Sequence, residues 1–483
     1  MGNKLRDPII YFLLFIFSFL IYAYGLAPDV LWGDSGCFQT RAYQNELKEE
    51  SLAFSHPLYI ALIRLFSLLP FGLFAFKVNL ASAFFGALTI ATVFFLIRYF
   101  TSNFSPALIG SLSLLFSHTM WRHSEIAEVY TLFCFVMALS LLTLWRCFLH
   151  WENKYFYLSF YLIGLNLSIH NLTFLIIASV LIFLFIYRKK FHLGMNDIIV
   201  SSALLILGFS LYGYLIFKDL ITTHNLWLTI RSALWGGVSK INILNFGSKG
   251  ELLKFFLFIG LNFPTPNIFL AVIGLFSLFR KRGERLGWLL IVLLGLNLII
   301  VLPFDFPDKY VFYFPTYVIV AFLIGIGSNK VLHKWKVSFY LFVSFALLPV
   351  IFYSYGPGLL KKHNMVFFSR GIPYRNNYTY FLTPWQRGYS GAREYGVEAL
   401  KVLEENSILI ADWTPYWVLN YLQIVEKSRR DVVLIPVGSL NPTDLNFKGK
   451  IYLADDEKGY YPDWIFKKYF TKRKGVLFEL EKK

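Results

Sequence analysis

The sequence predicts a polytopic α-helical membrane protein that carries a small extracytoplasmic α/β domain toward its C-terminal end. Three observations predict it. Of the 483 residues, 57% are hydrophobic and only 16% are charged, against about 25% charged in a soluble globular chain. Apolar runs long enough to span a bilayer recur along residues 8–354, with basic residues gathered at alternate ends. Beyond residue 390 the pattern changes to short apolar strands alternating with an amphipathic helix.

The candidate spans run near 8–26, 74–97, 104–120, 126–146, 155–169, 171–187, 197–217, 266–279, 286–303, 310–327 and 337–354. That makes about eleven transmembrane helices, two of which (155–169 and 171–187) are short and nearly abut. The first run follows Lys4 and Arg6 but lacks a small-x-small cleavage site, so it reads as a retained helix. A cytoplasmic N-terminus puts Lys4, Arg6, Arg98, Arg146, Lys154, the Arg188–Lys190 cluster, the Arg280–Arg285 cluster, Lys330, Lys334 and Lys336 inside. The short outer turns then hold little beyond Arg122 and Lys309. This asymmetry sets the orientation and accounts for much of the net charge of +17 without a nucleic-acid partner. Short loops and a modest outer domain point to the plasma (inner) membrane of a prokaryote. Three cysteines supply no disulfide framework.

With the C-terminus outside, residues 1–354 form the transmembrane domain with outer loops at 27–73 and 218–265, 355–390 a linker, and 391–483 the outer α/β domain. In the first loop, "GCFQTRAYQNELKEE" reads as a short amphipathic helix and "SHPLYIALIRLFSLLPFG" as an interfacial one. In the tail, "NSILIADWTPYWVLNYLQIVEKSRRDVVLIPVGSL" gives strand, helix and strand, with further strands at 449–454 and 475–480. The tail lacks a nucleotide loop, a zinc spacing and a serine elbow, so it reads as a docking or acceptor-binding domain.

Asp34 then sits on the first outer loop, where "GDSGCFQT" follows the first span. This stretch, "HPLYIALIRLFSLLPFGLFAFKVNLASAFFGALT", "WRHSEIAEVYTLF" and "ADWTPYWVLNYLQIVEKSRRDVVLIP", together with "FDFPDKYVFYFPTY", resemble the protein O-mannosyltransferase-like branch of the GT-C glycosyltransferases. The resemblance implies a GT-C-like fold and an enzyme that moves a sugar, mannose or a similar hexose, from a polyprenyl-phosphate carrier to an extracytoplasmic protein, lipid or polysaccharide. It departs from the family's usual D-S-G-E-F at Cys37, so a paired-acid metal site on this loop lacks one of its acids. No cofactor is required beyond the lipid-linked donor; a divalent metal stays open without a ligand motif to support it.

Such a transfer needs a carboxylate to take the acceptor's proton and cations where phosphate charge develops. Asp34 fits the base by location and resemblance, although its position also fits a helix N-cap. Arg122, on a short outer turn, leads the donor-phosphate candidates, followed by Arg41, Arg231 and Lys240. Glu125 and Glu128, His56 and His170 are candidates for binding sugar or acceptor, while Asp305 and Asp308 read as turn residues. Two readings of another class stay open: a flippase of lipid-linked sugars, and a non-catalytic relative that binds glycan or partner proteins. Charges at the rim and spans nearly free of ionisable residues favour interfacial chemistry over transport.

Overall fold

The computed structural model describes residues 6–150, 152–188, 193–236, 250–280, 285–304, 308–336, 338–365 and 370–483. Helices α1 (Arg6–Gly25), α2 (Asp34–Gln44), α3 (Pro57–Ser67), α4 (Phe74–Thr101), α5 (Phe104–Leu115), α6 (His118–His123) and α7 (Tyr130–His150) open the chain. There follow α8 (Asn153–Leu167), α9 (Thr173–Ile186), α10 (Met195–Thr223), α11 (Leu226–Trp235), α12 (Gly250–Asn262), α13 (Ile268–Arg280) and α14 (Arg285–Val301). The bundle closes with α15 (Phe314–Lys334), α16 (Ser338–Leu347) and α17 (Pro349–Lys362).

By length and composition, six helices among the described residues can cross a membrane, and five further apolar helices are shorter. The protein is a multi-pass membrane protein. Helices α4, α7 and α15 form the buried centre, whereas α1, α10 and the α16–α17 pair turn most of their surface outward. Ile9, Phe12, Phe17, Ile206 and Phe217 are among the exposed apolar side chains of that perimeter, which suits lipid. Small residues let central helices touch: a Cβ on Gly274 of α13 would lie 2.1 Å from the Leu323 carbonyl of α15.

The two ends of the bundle differ. At one, Arg98 pairs with Asp7 at 2.9 Å and Arg146 donates to the Tyr99 hydroxyl at 3.0 Å. At the other, the Ala27 amide meets the Glu125 carbonyl at 3.0 Å, and the Gln386 amide meets the Gly25 carbonyl at 2.9 Å. Asp34 belongs to this second end. The first-loop helices form close to where expected, α2 stopping at a left-handed Asn45 and α3 starting on Pro57.

The C-terminal part contains α18 (Asn377–Leu382), α19 (Gly391–Val402), α20 (Trp413–Ile424) and α21 (Asp463–Lys468). Its sheet comprises β1 (Ile408–Ala411), β2 (Val433–Pro436), β3 (Ile451–Leu453), β4 (Tyr469–Lys474) and β5 (Leu477–Lys482) in the order β2-β1-β3-β5-β4. Strand β1 pairs in parallel with β2 and β3, and β5 pairs antiparallel with β3 and β4. The edge strand β4, rich in Lys and Arg, escaped the hydrophobic pattern that marks the other four. Along β1, Ile408 and Ile410 enter one core while Leu409 and Ala411 enter the other, the period of two that a sheet covered on both faces imposes.

The second of these cores also takes in Val30, Leu31, Trp32, Ala75 and Ile126. The C-terminal domain is therefore fused to the bundle through shared apolar packing. The segment read as a linker follows suit: α17 runs on to Lys362, and 370–390 is bonded down onto the bundle.

Candidate active site

Gly33 takes a left-handed φ of +60° as the cap of α2, which leaves Asp34 as the first residue of the helix. The N-cap position is thus held by a glycine, and Asp34 stands one residue inside the helix. Its Oδ1 accepts a 2.6 Å hydrogen bond from Nε1 of Trp413, the first residue of α20 in the C-terminal domain. The N-cap reading is thereby replaced by a tertiary contact. Asp34 is open to solvent on one side and ringed by protein on the others, and this desolvation raises its carboxyl.

Glu128 and Asp308 are brought to the same space. The Glu128 backbone is pinned by Ser82 of α4, whose hydroxyl accepts from its amide at 3.2 Å. Asp308 precedes a 3-10 turn, Lys309–Tyr313, held by an ion pair between the buried Lys309 and the half-buried Glu251 of α12. Burial first, then repulsion by Asp34 and Asp308, pushes the Glu128 carboxyl well up. Desolvation, followed by repulsion from Asp34, raises Asp308 to about 6. Tyr130 lies within electrostatic reach of all three. Asp308, read from sequence as a turn residue, is the site member that reading passed over; it lay inside one of the resembling stretches.

Arg122 is buried within reach of Glu128 and Asp308 and lowers both. Its Nη1 donates to the Tyr380 carbonyl, and the guanidinium lies 4.6 Å from the Tyr380 ring. Glu125, fully buried, accepts from Trp121 Nε1 and from the Gln386 amide at 3.0 Å. This knots the turn ahead of α7 to the strap 370–390, a structural use in place of the sugar contact proposed from sequence. Arg41 is likewise committed to structure in place of phosphate: it pairs with Glu49 at 3.2 Å and donates to the carbonyls of Leu47, Phe54 and Ser55. The Cys37 thiol lies 3.7 Å from that same Glu49 carboxylate, so an acid from the following loop occupies this face of α2. Arg231 sits half-buried on α11, which docks through Ser232 on the 51–52 turn. Lys240 and Asp305 lie outside the described residues.

His56 and His170 are brought together, stacked with ring centroids 5.2 Å apart and planes at 15°. His56 Nδ1 donates to the Ile169 carbonyl at 2.7 Å, while His170 Nδ1 accepts from the Leu172 amide at 3.0 Å. The pair thus presents one bare Nε2 and one Nε2–H. Tyr130 links it to the carboxyl cluster, its ring 5.2 Å from His170. Among the described residues, no three His, Cys, Asp or Glu side chains are grouped to hold a metal ion.

Comparison with known proteins fits this geometry. Residues 53–193 match the family model described as the protein O-mannosyl-transferase TMEM260 N-terminal domain. Over its whole length the chain resembles ArnT from Cupriavidus metallidurans. The apo structure aligns with a TM-score of 0.59 at 13% identity, covering 97% of each chain. The structure bound to undecaprenyl phosphate aligns with a TM-score of 0.56 at 12% identity, covering 99% of this chain and 98% of that one. In fold and in the matched segment the chain resembles the GT-C-type glycosyltransferases. Within that resemblance, residues 53–193 are similar to a protein O-mannosyl-transferase domain.

Proposed function

We propose that the protein transfers a sugar, mannose or a similar hexose, from a polyprenyl-phosphate-linked donor to an acceptor hydroxyl on the extracytoplasmic side of the membrane. The observation that carries this reading is the placement of Asp34: a solvent-open, partly desolvated carboxylate at the end of the bundle that meets the C-terminal domain, beside two further carboxyls and a buried arginine. Undecaprenyl phosphate bound to a protein of the same fold supports a polyprenyl phosphate as the carrier.

In the proposed step the acceptor oxygen attacks the anomeric carbon and its proton passes to Asp34. The bond from that carbon to the phosphate oxygen breaks, releasing polyprenyl phosphate and the glycosylated acceptor. Arg122 supplies positive potential near the developing phosphate charge, acting through space because one of its donors is held by Tyr380. Glu128 and the His56–His170 pair offer hydrogen bonds to sugar and acceptor hydroxyls. The acceptor is a protein, a lipid or a polysaccharide, met on the side of the outer domain. The N-terminus is cytoplasmic and the outer domain faces away from the cytoplasm of a prokaryotic inner membrane, as the distribution of basic residues supports.

Asp34→Asn, purified and reconstituted with a polyprenyl-phosphate-linked sugar, is expected to lose transfer by roughly 10²–10⁴-fold with its melting temperature unchanged. Parental turnover in that variant removes Asp34 from the mechanism.

A further inference from the structure

We infer that Trp413 of the outer domain is the positioning residue for Asp34, so that the outer domain completes the active site as well as bordering it. The inference rests on the reading of Asp34 as the base.

The contact is built from both sides. Beyond the 2.6 Å bond from Trp413 Nε1 to Asp34 Oδ1, the Gly33 amide donates to the Thr414 carbonyl at 3.2 Å, joining the starts of α2 and α20 through their backbones. Gly36, one turn on, lies so close to α20 that an added Cβ would sit 3.2 Å from Trp417 Cβ and 2.7 Å from the Leu31 carbonyl. Close packing of this kind fixes the two helix starts against each other.

The start of α20 is in turn fixed from below. Asp412 caps it by accepting from the Thr414 amide at 3.1 Å, and also accepts from Arg370 Nη1 at 3.0 Å. Arg370 reaches Asp455 as well, and Tyr460 covers the guanidinium at 3.7 Å from its ring centroid. Asp412 follows β1 and Asp455 lies just beyond β3, so this clamp occupies the carboxyl ends of parallel strands, where α/β domains build their sites.

An indole suits the task. It has one donor, no acceptor and no charge, so it orients a carboxylate without competing for the proton that the base must take. With Oδ1 held, Oδ2 is left for the acceptor hydroxyl. The titratable and charged groups facing Asp34 are Glu128 ahead of α7, Tyr130 at the start of α7, Asp308 ahead of α15, and Cys37 on its own helix, with Arg122 beyond them. A neutral donor opposes the upward pull of burial on Asp34.

The test uses the full-length protein in proteoliposomes with a polyprenyl-phosphate-linked sugar. Trp413→Phe keeps the ring and deletes the N–H. It is expected to lower kcat by roughly 10–100-fold, the effect of losing a hydrogen bond to a charged group. The donor KM should change little, and the acid limb of kcat/KM should move to higher pH. Trp413→His returns an N–H at the corresponding ring position and should bring the limb back toward that of the parent. In an Asp34→Asn background, Trp413→Phe should cost nothing further. Parental kcat and acid limb in Trp413→Phe, beside an inactive Asp34→Asn, overturn the inference and leave Asp34 as base. Equal limb shifts in the Phe and His variants, or a full further loss in the double variant, overturn it too. A fully active Asp34→Asn removes the base reading itself, a result distinct from all of these.

Discussion

Two acidic clusters lie on either side of Trp413, and the molecule treats them in opposite ways. Behind it, Asp412 and Asp455 are buried and share one guanidinium, that of Arg370. In front of it, Asp34, Glu128 and Asp308 face one another, and among the described residues no ion pair joins any of them. Arg122 is near, but its bond goes to a carbonyl. A buried carboxylate left uncompensated is costly, so a fold keeps such a group only where the surrounding structure forces it. The compensated cluster does the forcing, through α20, and the uncompensated one is where perturbed carboxyls are free to exchange protons. Structural charge and chemical charge are thus separated by one indole ring.

Removing the compensation is the largest structural perturbation available. Arg370→Met keeps a long apolar stem but leaves two buried carboxylates unpaired, which costs about 3–5 kcal/mol. A large fall in the thermal midpoint of the detergent-solubilised protein, with early proteolysis inside 391–483, is the expected outcome. An unchanged midpoint would mean that the clamp holds nothing. A smaller effect separates the members of the other cluster. Glu128 is the most buried of the three and is pushed furthest toward its protonated form by burial, then Asp34 and Asp308. Glu128→Gln mimics that form, so its turnover should stay within about tenfold of the parent, against the 10²–10⁴-fold loss expected for Asp34→Asn. Equal losses in the two variants would erase the distinction between them.

Most of the bundle was legible in the sequence because lipid leaves a coarse signal: long apolar runs and a one-sided distribution of Lys and Arg. Four of the five strands were legible for a related reason, since β1, β2, β3 and β5 carry apolar runs, while β4 reads YFTKRK and hides among loop-like charge. Asp34 stood out because its position and resemblance agreed. Trp413 and Asp308 did not, although both lie in stretches quoted for the resemblance. Their roles depend on contacts across 379 and 274 residues of chain, which no local pattern encodes. Arg41 and Glu125 misled for the converse reason. A charged residue on an outer loop looks available for substrate until the fold shows which carbonyls and amides have already engaged it.

The finest test of the Asp34 side is one of sign. Without an ion pair to hold its charge, the Asp308 carboxyl should stabilise the fold more when protonated than when ionised. Asp308 stands at about 6 in the folded protein against an ordinary 3.8, raised by desolvation and then by Asp34. Its folded state binds the proton more tightly than the unfolded chain does, so its contribution is fully present below pH 3.8 and is lost as pH rises through about 6. Asp308→Asn removes that loss. At pH 7.5 the variant should melt above the parent, by no more than about 1 kcal/mol because the group is open to solvent on one side. At pH 3.5 the two should coincide. A variant equally stabilised or destabilised at both pH values would show that Asp308 feels no such repulsion. If the crossover is found, the gain in stability should come with a loss of turnover, since a carboxyl held against its preference is kept for what it does.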